Sequence, residues 1–257
     1  MISQFEKFVE LHKSNSPVLL GNVWNVQSAK VFEKLKFSAI GTSSAAIANM
    51  LGYEDGENIT FDEYFYIIKR IAENTSLPLS VDIEAGFGNN VETIISNIKR
   101  LTELNVVGIN IEDSIVENFK RTLLPRETFS EKLNEICKKL EREKVKIFIN
   151  VRTDTYLSNI NDKLKETLVR IHLYEKANIN GIFVPCITSK EEIKELVNST
   201  KLPINVMCMP DLPGFKDLSN LGVKRISMGN FVNDFVYKQM ENKINQIIQN
   251  QNFEGLF

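Results

Sequence analysis

The chain has 257 residues, 43% hydrophobic and 25% charged, which suits a globular α/β protein and is long enough for an eight-stranded barrel. Lys and Arg number 31 against 33 Asp and Glu, a net charge of −2, so no basic field exists to hold nucleic acid or an anionic membrane. No apolar run reaches a membrane span, the charged opening MISQFEKFVELHKS is not a secretory leader, and Cys137, Cys186 and Cys208 are too widely spaced for a disulfide framework or a zinc site. The expected setting is the cytoplasm, with each thiol buried and inert.

In chain order, an amphipathic helix carrying His12 precedes eight short apolar, β-branched runs. They are VLLGNVW (18–24), FSAIGTS (37–43), PLSVDIE (78–84), VVGINIED (106–113), KIFINVRT (146–153), GIFVPC (181–186), PINVMC (203–208) and KRISMG (224–229). Charged stretches of helical periodicity lie between them, among them VETIISNIKRLTELN, RETFSEKLNEICKKLEREK and IKELVNST, and FVNDFVYKQMENKINQIIQN follows the last. The runs are apolar at nearly every position, as strands covered on both faces must be. Eight strand–helix units without a Gly/Ser linker predict one (β/α)₈ TIM barrel over residues 1–257. A doubly wound open sheet would carry a glycine-rich phosphate turn after its first strand, where GNVWNVQSA stands instead. The cluster AGFG (Ala85–Gly88) follows the third strand and lacks the dinucleotide spacing. AIANMLGYEDGENI (46–59) and SIVENFKRTLLP (114–125) read as the longest irregular connections, each a candidate lid.

The chemistry concentrates where strands end. SVDIEAGFG and GINIEDS place Asp82, Glu84, Glu112 and Asp113 at the same end of two adjacent parallel strands. Asp82 and Glu84, two residues apart, are expected on one side of their strand, with Glu112 matching them on the next. Converging carboxylates need a cation or protons to offset their repulsion, and two or three such oxygens with water suit magnesium. The bland alternative is helix capping or rim pairing with lysines. Arg152 ends the fifth strand two residues before Asp154, as a clamp on a substrate carboxylate or oxyanion, or as a rim ion pair to Asp154 or Glu112. GTSSAA offers backbone N–H groups to an anion, and Trp24 is either a pocket wall or barrel core. His12 and His172 both fall in helices, which makes a Ser–His–Asp hydrolase improbable.

Together, NVWNVQSA, GTSSAAIANMLGYEDGE, SVDIEAGFG, GINIEDS, NVRTD, GIFVPC, PINVM and GVKRISMG, in this order along nearly the whole chain, resemble the isocitrate lyase/phosphoenolpyruvate mutase superfamily. The resemblance implies a barrel whose last helix packs on or swaps with a neighbouring subunit of a homodimer or homotetramer. It also implies Mg²⁺ (or Mn²⁺), a small 2-oxo acid or related carboxylate as substrate, and a C–C or P–C bond made or broken through an enolate-like intermediate. By motif, Asp82 is implied as the direct metal ligand, with Glu84 and Glu112 acting through metal-bound water. Arg152, Asp55 and Glu112 form the implied catalytic set; Ser43, Ser44, Ala45 and Asn205, with Trp24 and Arg152, form the substrate-binding set. Isocitrate and methylisocitrate lyases carry a Lys-(Lys/Arg)-Cys-Gly-His loop after the fourth strand, and phosphonopyruvate-processing members a Lys-x-Asn-Ser lid. Here SIVENFKRTLLPRE has neither, leaving Lys120 and Arg121 as lid charges. Glu84 stands where aspartate is commoner, and Asn25 replaces an aspartate. The resulting expectation is a Mg²⁺-dependent lyase acting on a small 2-oxo or 2-hydroxy carboxylate, for example by decarboxylation. A P–C mutase or hydrolase and a non-catalytic carboxylate-binding barrel are the alternatives.

Overall fold

In the computed structural model, which describes residues 2–118 and 120–257, each of the eight runs forms a parallel strand. Before the hairpin come β1 (Val18–Val23), β2 (Ile40–Thr42), β3 (Leu79–Asp82) and β4 (Gly108–Glu112). The hairpin is β5 (Ser114–Glu117) and β6 (Lys120–Leu123), and after it come β7 (Phe148–Arg152), β8 (Gly181–Val184), β9 (Ile204–Met207) and β10 (Arg225–Ser227). The parallel strands close in the order β1-β10-β9-β8-β7-β4-β3-β2, the expected TIM barrel. The helices are α1 (Gln4–Lys13), α2 (Val26–Lys34), α3 (Ser44–Met50), α4 (Phe61–Ala72), α5 (Val91–Glu103), α6 (Arg126–Arg142), α7 (Lys163–Tyr174), α8 (Lys190–Ser199), α9 (Phe215–Leu221) and α10 (Phe231–Asn250).

The outer layer is held by apolar stripes at helical spacing. Ile94, Ile98 and Leu101 on α5, and Tyr64, Ile68 and Ile71 on α4, are all buried against the barrel. Each such side chain contributes about 2 kcal/mol of burial, which outweighs the weak helix propensity of its β-branched neighbours. Inside the barrel the layers are polar. Asn150 donates to Asn110 at 2.9 Å and to Asn205 at 3.2 Å, and Asn205 donates to Ser227 at 3.2 Å. Gly181 makes this possible, since a Cβ there would stand 2.8 Å from Asn150 Oδ1.

Two expectations about connections need correction. The first part of 46–59 belongs to α3, capped by Ser43, and 114–125 holds the antiparallel hairpin β5–β6. Four-residue strands carry too little pattern to be read alone, and these pair only with each other. The thiols also differ: Cys137 is buried, Cys186 half-buried, and Cys208 exposed where the chain leaves β9. No described helix is long and apolar enough to cross a membrane.

Helix α1 closes the N-terminal end of the barrel. Phe8 packs edge-on to Phe148, and the His12 ring stacks on Phe148 at 4.4 Å. Nδ1 of His12 donates to the Phe8 carbonyl at 2.8 Å, which fixes the neutral tautomer. Burial, and then the Arg225 charge, push His12 down to about 4. A histidine depressed below its unfolded value of ~6.5 stabilises the fold fully above that value and loses the contribution as pH falls towards 4. The loss reaches about 3 kcal/mol at full protonation. In His12→Phe, denaturant titrations should lose one proton's share of the slope between these pH values; an unchanged slope would refute the assignment.

Candidate active site

The C-terminal ends of the strands gather the charged groups. Asp82 closes β3, its N–H donating to Thr42 Oγ1 at 2.9 Å and its carbonyl accepting from Tyr64 at 2.7 Å. Ser44 donates to Asp82 Oδ2 at 3.1 Å, while the buried Oδ1 has no hydrogen-bond partner. The strand ends here, so alternation does not carry on to Glu84. That residue turns through a left-handed conformation, φ 48°, and its carbonyl accepts from the Glu112 N–H at 2.8 Å. Backbone strain rather than pleat therefore sets Glu84 beside Glu112. Burial first, then Asp55, Glu112, Asp82 and Glu57, hold the Glu84 carboxyl well above the usual range.

Glu112 closes β4 and faces Arg152, its register partner on β7. Arg152 Nη1 lies 3.0 Å from Glu112 Oε2 and 4.0 Å from Asp82 Oδ2, and Nε lies 2.6 Å from Asp154 Oδ1. The rim pairs to Asp154 and Glu112 thus form while the guanidinium still lines the cavity. The hairpin turns Arg121 back into the same cluster. It bonds Glu112, Ser114 at 2.7 Å and Asp154 at 2.8 Å, and reaches Asp55 at 3.2 Å. Burial drives Glu112 up to about 8 against the pull of both arginines. Burial also acts to raise Asp154, but Arg152 and Arg121 outweigh it and hold that carboxyl low.

These groups border a cavity of about 220 Å³ at the barrel mouth. Ser43, Ser44, Ala45, Asp55, Asp82 and Arg152 line it as expected, and Arg121 joins them. The first-turn amides of α3 at Ser44 and Ala45 have no intrahelical acceptor, which suits an anion. Glu84 and Glu112 sit behind this lining, both buried. Other expected residues lie elsewhere. Trp24 is packed in the apolar core between barrel and helices, because its strand ends one residue earlier. Asn205 points into the barrel interior, hydrogen-bonded to Asn150 and Ser227 below the cavity. Lys120 is exposed opposite Glu117 on the hairpin. Asp113 faces the other side of β4, bound by Arg170 at 3.0 Å and Tyr174 at 2.8 Å, where Arg170 also holds the Leu124 carbonyl at the hairpin base. Asn110, two residues before Glu112, lines the cavity and is identifiable from strand alternation.

The family model for phosphoenolpyruvate phosphomutase matches residues 8–248. The chain belongs to this family. An uncharacterised protein of Mycobacterium tuberculosis is 31% identical over 222 residues, 86% of this chain and 81% of its own. An oxaloacetate decarboxylase of a Bradyrhizobium strain is 27% identical over 215 residues, 80% of this chain and 70% of its own. A solved structure from Burkholderia cenocepacia, provisionally assigned as a phosphonomutase, is similar with a TM-score of 0.87 at 29% identity, covering 94% of this chain and 99% of that one. In this family member, the segment after β4 is the hairpin that supplies Arg121.

Proposed function

We propose that the protein is a Mg²⁺-dependent lyase that breaks a C–C bond in a small 2-oxo or 2-hydroxy carboxylate through an enolate. The observation that carries this reading is a pair of buried carboxylate oxygens without a hydrogen-bond partner, Asp82 Oδ1 and Glu84 Oε1, beside the buried Glu112, whose Oε2 faces Arg152 at 3.0 Å. Among the described residues, no three acidic, His or Cys side chains form a ready-made ligand cage. An all-oxygen set of this kind fits Mg²⁺, which binds through one or two carboxylates and keeps several waters. Asp82 would hold the ion directly, and Glu84 and Glu112 its water shell; Mn²⁺ suits the same donors. When bound, the ion supplies a Lewis acid that stabilises negative charge on the 2-oxo oxygen. The chain's own groups do the rest. Ser44, Thr42 and Tyr64 orient Asp82, and the α3 amides with Ser43 and Ser44 hold the substrate carboxylate. Arg152 stabilises the developing oxyanion, while Arg121 and Asp55 close over the mouth.

The test is calorimetry with Mg²⁺ and oxalate, an enolate mimic, beside turnover of oxaloacetate, phosphonopyruvate and methylisocitrate with and without Mg²⁺. Oxalate should bind only with Mg²⁺, and one of the carbon acids should turn over only with Mg²⁺. A P–C mutase or hydrolase is the second reading, favoured by the phosphonomutase-like neighbour, and turnover of phosphonopyruvate alone would select it. Binding without turnover would leave a carboxylate-binding barrel.

The same reading includes a homodimer or homotetramer. Of the twenty residues of α10 only Asn233 is buried, while Tyr237, Met240, Ile244 and Ile248 are exposed at helical spacing. A helix gains most of its stability from a packed apolar face, so a neighbouring copy suits this one. Light scattering should find an oligomer at micromolar concentration and a smaller species for Ile244→Glu with Ile248→Glu; a monomeric wild type would end the idea.

A further inference from the structure

The turn after β3 owes its shape to side chains from other parts of the chain. Glu84, Gly86 and Phe87 all have positive φ, at 48°, 122° and 52°. At Glu84 and Phe87 such a backbone is strained and persists only where its surroundings fix it. Asn97 on α5 donates to the carbonyls of Gly86 at 3.1 Å and Phe87 at 2.9 Å, and Lys132 on α6 donates to the Ala85 carbonyl at 3.0 Å. The remaining contact is Glu57, whose Oε1 accepts from the Phe87 N–H at 2.8 Å. The Phe87 ring stacks at 5.0 Å on Tyr64, the residue that holds the Asp82 carbonyl.

Glu57 differs from Asn97 and Lys132 in what stands beside it. It is itself left-handed, φ 59°, in a turn closed by Asn58, which donates to the Glu54 and Asp55 carbonyls at 3.3 Å and 3.1 Å. Asp55 in that turn meets Arg121 at 3.2 Å. Gly56 lies so close to β5 that a Cβ there would stand 2.4 Å from Val116 Cβ. The Asp55 turn thus touches the hairpin on one side and the Glu84 turn on the other. Resting on the proposed Mg²⁺ site, we infer that Glu57 is a positioning residue: by fastening the Asp55 turn to the Phe87 amide it sets Glu84 for the ion's water shell and Asp55 for the mouth. Reach, rather than charge, does this work. Burial acts against the Glu57 charge, and that charge adds to the crowding of carboxylates at Glu84. What the contact contributes is an oxygen at the right distance from its own backbone to meet the Phe87 N–H.

Two substitutions separate reach from charge. Glu57→Gln keeps the length and an oxygen for the Phe87 N–H, whereas Glu57→Asp keeps the charge and falls one methylene short. In calorimetry with Mg²⁺ and oxalate, Glu57→Asp and Glu57→Ala should weaken Mg²⁺ binding about tenfold, the share of one hydrogen bond to a charged group, and Glu57→Gln should stay within about threefold of the wild type. Without Mg²⁺, hydrogen exchange over residues 84–88 should quicken in Glu57→Asp and Glu57→Ala but not in Glu57→Gln, while β3 and β4 stay protected in all three. The reverse order, with Glu57→Asp like the wild type and Glu57→Gln like Glu57→Ala, would assign the effect to charge and overturn the inference. So would Mg²⁺ affinity unchanged in Glu57→Ala, an outcome under which the Mg²⁺ site still stands. A wild type that binds no Mg²⁺ with oxalate defeats both.

Discussion

Asp82→Asn should abolish Mg²⁺-dependent oxalate binding and lower kcat/KM at least about a thousandfold, while leaving the fold intact. The substitution keeps the shape of the side chain and an oxygen to accept from Ser44. The backbone stays fixed by Thr42 and Tyr64. What disappears is the charge. In the wild type that charge is unfavourable without a cation, because burial raises the Asp82 carboxyl and Arg152, at 4.0 Å, offsets this only in part. Removing it should therefore leave unfolding by denaturant at least as hard as in the wild type. A variant that is stable but blind to Mg²⁺ is the expected signature. Retained Mg²⁺-dependent oxalate binding in Asp82→Asn would show that the cation is held elsewhere.

The parts legible in the sequence were those governed by local pattern. A barrel strand covered on both faces is a short apolar run between turn residues, and all eight runs obey that rule. The acidic ends of β3 and β4 were equally legible, because a carboxylate that closes a buried strand interrupts the pattern visibly. The errors came from contacts made at long range. Asp113 follows Glu112 and so faces the other way, but the partner that makes it structural, Arg170, lies 57 residues on. Glu84 reached the cluster by a strained turn rather than by alternation, and no spacing rule anticipates a positive φ at glutamate. Arg121 could be recognised only as a cation near the site. Its placement depends on a hairpin anchored by Leu124 to the Asp113 carbonyl and to Arg170. Asn205 follows a buried strand pattern faithfully, and only the depth of its layer separates a barrel-interior amide from a substrate contact.

Arg152 should prove both structural and functional, and two substitutions separate the roles. Its side chain is 13% exposed and faces Asp154, Glu112 and Asp82. Arg152→Met leaves Glu112 and Asp154 with Arg121 as their remaining guanidinium and Asp82 without its ion pair, and should cost about 3 kcal/mol of stability, the lower end for breaking a buried ion pair. Arg121 and Ser114 still hold Asp154, at 2.8 Å and 2.5 Å, which is why the lower end applies. The pH dependence follows from the same contacts. Asp154 sits low in the wild type because the arginines outweigh its burial, so losing Arg152 moves its folded pKa upward. A raised carboxyl contributes its stability at low pH and loses it as pH rises through the new value. The deficit of Arg152→Met should accordingly shrink on acidification and be greatest at neutral pH and above. Arg152→Lys restores the charge but not the fork that spans Asp154 and Glu112 at once. It should recover most of the stability, while kcat/KM stays down at least about a hundredfold because the planar contact to the oxyanion is lost. Activity recovering in step with stability in Arg152→Lys would reduce Arg152 to a rim ion pair.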